Sequence, residues 1–374
     1  MNIPLTFLCL LTAWVISDTT CVPLHNAVSE DSGMLRAING MMEKRAGHTA
    51  AKLKDGRVLV AGGMGENESG SSSAEVFDPR TGSFTATGPM SARRVGHSST
   101  LLADGTVLIT GGYNGDYLAA TEIYDPKAGR FLPGPPMTMP RSNHSAVVLK
   151  DGRILITGGI TTGWSFLASS EIYDPADRRF IAAGPMTTPR ESHTATVMAD
   201  GRVLITGGHK DRRANITIYS STEIFDPKRS TFAAAADMTA RRHKHDAVLL
   251  KDGKVLVIGG TDERDVGGLN ITLEVFDPAS GRFARAGELL AGRYKFGGTS
   301  ILLNDGKVLI LGGASSAEVF DPDDGGSEPV SGKFTSKRLV GAAVALDDGS
   351  VLFTGGYDEQ IRVSHDAWVY RKKG

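Results

Sequence analysis

Apolar residues in this chain come in short runs broken by turn residues, and no stretch repeats at the period of an amphipathic helix. Leu101-Leu-Ala-Asp-Gly-Thr-Val-Leu-Ile-Thr110 is typical: two apolar runs flank Asp104-Gly105. Asp-Gly favours a two-residue hairpin turn, because both central positions then need a positive φ. The same unit recurs with Asp-Gly at Asp55, Asp104, Asp151, Asp200, Asp252, Asp305 and Asp348. Each stands seven residues before a Gly-Gly pair, at Gly62, Gly111, Gly158, Gly207, Gly259, Gly312 and Gly355. The pairs lie 49, 47, 49, 52, 53 and 43 residues apart. Seven copies of one unit are present, and a repeat of this length decides the architecture before any single element does.

A second block follows most pairs. Glu75-Val-Phe-Asp-Pro79 and Glu122-Ile-Tyr-Asp-Pro126 recur as similar blocks at Glu171, Glu223, Glu274 and Glu318. Six residues past the Asp of the first five stands Phe84, Phe131, Phe180, Phe232 or Phe283. The Glu-x-aromatic run predicts a third strand, Asp-Pro ends it in a turn, and the later Phe opens a fourth. Four antiparallel strands at a period near 50 describe a propeller blade. The Gly-Gly pair, the Glu-x-aromatic-Asp-Pro block, the later aromatic and the Pro89-Met90 to Arg94 link together resemble the Kelch family of β-propellers. The resemblance covers residues 33–374. The expected fold is therefore an all-β, seven-bladed propeller.

The last unit reaches a degenerate third strand at Trp368-Val-Tyr370 and has no fourth. Gly33 to Met42 aligns with Gly82 to Ser91 at an offset of 49, placing Leu35 in the aromatic slot and Met41 in the Met slot. The N-terminal segment is thus expected to supply the outer strand of blade seven and to cover an exposed edge. Blade six is expected to be irregular, since Phe334 falls in the Met slot.

Composition narrows the chemistry. With 41 basic and 42 acidic residues the formal charge is −1, which points to neither nucleic acid nor an anionic membrane. The only cysteines are Cys9 and Cys21, so the repeat body has no disulfide, Cys-based metal site or thiol nucleophile. The apolar run within residues 1–17 is too short to span a bilayer and reads as a signal peptide, followed by a linker to residue 32; a secreted or periplasmic monomer is expected, or a cytoplasmic one if the run is not a signal. No phosphate loop or nucleophile elbow occurs, and no cofactor, metal or catalytic residue is assigned.

Strand order sets the 1–2 and 3–4 turns on one face and the 2–3 loops and 4–1 links on the other. The second face carries the variation, and loops on a rigid scaffold commonly carry function. Its candidate ligand residues are Lys210, Arg212, Arg213, Arg241, Arg242 and Lys244, with Trp164, Phe166 and Tyr219. They suit a protein, an acidic peptide or a glycan. A basic residue stands ten before every Asp-Gly: Arg45, Arg94, Arg141, Arg190, Arg242, Lys295 and Arg338. The resemblance implies a basic ring at the channel mouth; the recurring Glu75-type carboxylate implies structural pairing instead. Three residues on, His48, His97, His144, His193 and His245 are expected to be hydrogen-bonded singly, since sevenfold geometry keeps them apart. The resemblance to galactose-oxidase-type copper enzymes lacks their crosslinked Tyr–Cys. Acid–base chemistry of the sialic-acid-mutarotase kind is the enzymatic alternative, with no single blade marked for it.

Overall fold

The computed structural model describes residues 32–66, 69–212, 215–263 and 268–372. The proposed signal peptide, both cysteines and Arg213 lie outside them. Seven four-stranded antiparallel sheets follow one another around the molecule. Blade one comprises Thr49–Lys52, Val58–Ala61, Ala74–Asp78 and Ser83–Thr87. Blades two to six repeat this order, and in blade six the outer strand shrinks to Ser327–Pro329. Among the described residues no helix is long and apolar enough to cross a membrane.

Blade seven is closed from the other end of the chain. Met34–Ile38 pairs antiparallel with Ala367–Arg371, in register from Met34 opposite Arg371 to Ile38 opposite Ala367. Leu35 and Met41 are both buried in blade seven's packing. Ser32, placed in the linker by sequence, is already docked: its hydroxyl donates to the Pro329 carbonyl. Met41 lies against Gly355 as Met90 lies against Gly62. A Cβ on Gly355 would meet the Arg45 carbonyl at 2.4 Å, and its φ of +61° is left-handed, so glycine is required there.

The second strand of each regular blade is buried along its whole length, which is why these strands read as unbroken apolar runs. Third and fourth strands lock through in-register aromatic pairs, among them Phe77–Phe84 and Tyr124–Phe131, each 4.9 Å between ring centroids. The Asp-Gly turns differ from expectation. Leu53 N–H donates to the Arg57 carbonyl, enclosing three residues, and of the Asp-Gly pair only Gly56 has positive φ. Asp55 instead accepts a hydrogen bond from Arg57 N–H, which matches a type I turn closed by a glycine bulge.

Candidate functional site

The residues common to most blades are used in holding the blades together. Arg45, Arg94, Arg141, Arg190 and Arg242 are fully buried, each ion-paired with the third-strand glutamate of its own blade. Arg141 is representative. It donates to the carbonyls of Gly158 (2.8 Å) and Ser169 (3.0 Å) and to Glu171 Oε1 (2.9 Å). Glu171 also accepts from Thr138 N–H and Met139 N–H, so the pair ties the incoming link to the sheet. Arg242 therefore leaves the proposed ligand patch: its guanidinium is spent on Glu274 and two carbonyls. Lys295 also leaves the series. The buried arginine of blade six is Arg293, bonded to Glu318, and the link from it to Asp305 is two residues longer than usual. In blade seven Arg338 uses Asp366 instead.

The five repeated histidines join neighbouring blades. His48, His144, His193 and His245 meet the hydroxyls of Thr354, Thr110, Thr157 and Thr206 through Nε2, and His97 meets Thr49. Burial, with the adjacent arginines second, pushes His48, His97 and His193 down to about 3. No group of three or more potential metal-ligating side chains occurs among the described residues.

Two residues past each buried arginine the backbone turns left-handed: Gly47, Gly96, Asn143, Ser192, Lys244, Lys295 and Val340. Gly47 N–H donates to Val340, Val340 to Lys295, Lys295 to Lys244, Lys244 to Ser192, and Asn143 to Gly96. Five of the seven blades thus bond to the preceding one at this position, which defines the narrow rim of the central channel. Seven steps of about 5 Å make a ring about 11 Å across. Left-handed φ is uncommon for non-glycine residues, and such conformations concentrate at functional sites. At Gly96 a side chain would have to displace Asn143, since a Cβ would meet Asn143 Oδ1 at 2.4 Å. The remaining rim positions from blade three onward carry side chains, and two in succession are lysines. Lys295 Nζ donates to Tyr357 Oη at 2.8 Å and lies over the rings of Tyr294 and Tyr357.

Above the rim the copies diverge. Blades three and four each project an extra two-stranded ribbon, Ile160–Thr161 with Ser165–Phe166 and His209–Lys210 with Thr217–Ile218. The first ribbon turns at Gly163 and Trp164, both left-handed, and leaves the indole 56% exposed. Arg212 from the second ribbon stacks on that indole at 4.0 Å, and Tyr117 of blade two meets it edge-on at 6.4 Å. Blade six contributes only the short Ala314–Ala317 segment. The face is therefore raised over blades two to four.

Beneath the ribbons lies a cluster found once among the described residues. Glu191 and His209 are bridge partners in blade four, and Glu191 Oε1 lies 3.1 Å from His209 Nε2. His209 Nδ1 faces His243 Nδ1 of blade five at 3.0 Å, and His243 Nε2 contacts the Glu263 carbonyl at 3.2 Å. Asn143 Nδ2 donates to Glu191 Oε2 at 3.3 Å, and Arg212 stands 3.7 Å from Oε1. Burial works against the Glu191 charge, but His209, Arg212 and Asn143 outweigh it and hold the carboxyl below its usual range. His243 is pushed down to about 3 by burial, then by Lys244 and His209. The two facing Nδ1 atoms gain no third converging donor, because Glu191 meets His209 on its far nitrogen; the pair does not fit a copper centre.

Of the sequence candidates, Trp164, Phe166 and Arg212 come together around His209, whose ring Phe166 meets edge-on at 5.7 Å. Lys244 joins them through the rim. Lys210 lies in the second ribbon, while Arg241 holds Asn270 of blade five through its carbonyl. Tyr219 is turned inward over the buried Arg190 at 5.1 Å, and burial raises its hydroxyl to about 12. Glu191 and His243 were not singled out as a pair from sequence. The signal lay in the residue after each buried arginine, which reads Ala46, Val95, Ser142, Glu191, His243, Tyr294 and Leu339. Only blades four and five place an ionisable acid or base of this kind there.

The model of the KLHDC2/KLHL20/DRC7 Kelch-repeats domain matches residues 47–260. Among solved structures, the chain is similar to one described as a novel fungal alcohol oxidase with catalytic diversity among the AA5 family, in complex with copper. The identity is 16% and the TM-score 0.70, over 91% of this chain and 76% of that one. That likeness is one of fold. No curated protein matches at a significant level.

Proposed function

The chain belongs to the KLHDC2/KLHL20/DRC7 Kelch-repeat family, and from that premise we propose that it binds an acidic segment of a partner protein across the loop face of blades two to five. A Kelch propeller is an interaction fold, and the repeated arginines, glutamates and histidines here are engaged in contacts within it. The reading is carried by Trp164: an exposed indole held in a left-handed conformation, with Arg212 stacked against it. Strain of this kind costs about 1–3 kcal/mol and persists where the surroundings enforce it. Trp and Arg are also the side chains most used as anchors in protein interfaces. Arg212 with the rim residues Lys244 and Lys295 supplies cations that an acidic segment could pair with. The low side at blade six offers the chain of a partner a path to the rim.

A peptide array spanning acidic, neutral and basic sequences tests this, read with the wild type and an R212E/K244E/K295E variant. An R57E variant on the opposite face serves as the control. Acidic peptides should bind the wild type and R57E alike and lose at least tenfold in affinity for the triple variant. Equal binding by the triple variant would refute the reading. Binding confined to acidic glycans printed on the same array would replace the peptide by a carbohydrate ligand.

A further inference from the structure

Proton counting in the Glu191–His209–His243 cluster leads to a charge assignment that the sequence alone does not give. Three contacts of hydrogen-bond length run through two imidazoles: Glu191 Oε1 to His209, His209 to His243, and His243 to the Glu263 carbonyl. The carbonyl at one end can only accept. A carboxylate at the other end can only accept. Two neutral imidazoles carry two N–H groups between them, so filling three contacts needs a third proton.

His243 uses its Nε2–H on the Glu263 carbonyl, which also accepts from Thr261 Oγ1. Its Nδ1 is then a lone pair facing His209 Nδ1 at 3.0 Å, and that separation requires a proton on His209 Nδ1. His209 Nε2 must also carry a proton to meet Glu191. The extra proton could alternatively sit on Glu191 as a neutral acid. Asn143 Nδ2 donating to Oε2, with Arg212 beside Oε1, favours the ionised carboxylate instead. Nor does the charge belong on His243, which faces Lys244 and Lys295 rather than a carboxylate.

We infer that His209 is held as a buried imidazolium whose role is to neutralise Glu191, so that Arg212 stays stacked on Trp164 and is presented to an anionic ligand. His209 is then a positioning residue, acting through Arg212. The geometry supports this division: the Arg212 nitrogen is 3.7 Å from Glu191, beyond hydrogen-bond length, while its guanidinium carbon is 4.0 Å from the indole centroid. Without the charge on His209, the nearest cation to the buried Glu191 carboxylate is Arg212, and the stack would be lost to that ion pair. The charged neighbours from every side are Glu191 and Arg212 of blade four and Lys244, Lys295 and the Glu263 segment of blades five and six. This assignment rests on the binding reading only for its consequence, not for the protonation itself.

The test has two independent readouts on the full chain. In protein labelled with 15N-histidine, a two-bond proton–nitrogen correlation at pH 7 should show both ring nitrogens of His209 protonated and a single proton on His243. Loss of one pattern in H209Q assigns it. If H209Q does not fold, E191Q should convert the same signal to a neutral ring and assign it equally. A single protonated nitrogen on His209 in the wild type overturns the inference. The second readout is binding of a fluorescein-labelled hexaglutamate peptide, with an expected loss of at least tenfold in H209Q and near wild-type affinity in E191Q, which has no carboxylate to draw Arg212 off the indole. Wild-type affinity in H209Q, or a tenfold loss in E191Q, overturns the positioning role. A protonated His209 in a protein that binds no hexaglutamate upholds the charge assignment and removes the acidic-ligand reading.

Discussion

Met41 and Met42 are adjacent residues of one type in opposite environments, which makes them a test of ring closure with its own control. Met41 is 3% exposed and packs with Val58, Val60, Phe77, Leu352, Ala367 and Val369; Met42 is 64% exposed. Met41→Ala deletes three heavy groups from a buried site, about 2.4 kcal/mol at about 0.8 kcal/mol for each. Incomplete collapse of the cavity brings the expected loss to about 3 kcal/mol. Unfolding entropy near 2.1 cal/mol/K per residue over about 340 residues gives about 0.7 kcal/mol per kelvin, so Tm should fall by about 4 °C. Met42→Ala should cost under about 0.5 kcal/mol, a shift below about 1 °C. Differential scanning fluorimetry on the two variants, backed by urea midpoints, measures both. If the two midpoints lie within 1 °C of each other, Met41 does not fill blade seven and the closure is wrong.

Three further outcomes follow from the same structure. Glu171→Gln leaves Arg141 buried without its counter-charge and should cost about 3–5 kcal/mol in urea unfolding; a loss under 1 kcal/mol would show the ion pair to be dispensable. His48, His97 and His193 stay neutral in the folded state down to about pH 3 while the unfolded chain protonates near 6.5. The unfolded state therefore binds more protons, and stability falls as pH drops below 6.5, by up to about 1.4 kcal/mol per pH unit for each histidine. Tm measured from pH 6.5 to 5, above the carboxylate range, should decline, and H97Q should flatten that slope; a level profile would contradict the burial of these rings. Trp164→Gly should relieve the left-handed strain and leave Tm unchanged or slightly higher, while lowering acidic-peptide affinity at least fivefold by fluorescence polarisation; retained affinity would remove the indole from the binding face.

The architecture could be read from sequence because each blade repeats its own instructions. Gly-Gly, Asp-Pro and the aromatic slot fix where strands stop, and the offset that puts Met41 in a Met slot fixes how the ring closes. Reading by offset failed where a link changed length: counting back from Asp305 lands on Lys295, whereas the ion pair is made by Arg293, two residues earlier. Lys295 was displaced onto the rim, a place with a different role. The Glu191–His209–His243 cluster was hidden for another reason. Its members are 18 and 34 residues apart and meet only when neighbouring blades set two link positions side by side. Periodicity marks what is shared between copies, and this cluster is made of what is not.

The pairing of Met34–Ile38 with Ala367–Arg371 also orders events on the ribosome. The segment that completes the last blade is synthesised first and cannot be used until about 330 further residues have emerged, tens of seconds at about 5–20 residues per second. Throughout that interval six blades can assemble in sequence while the seventh waits, its future outer strand still untethered. A nascent chain stalled before Ala367 would therefore present a nearly complete ring with one open gap, and the time spent in that form should set how much the protein depends on chaperones.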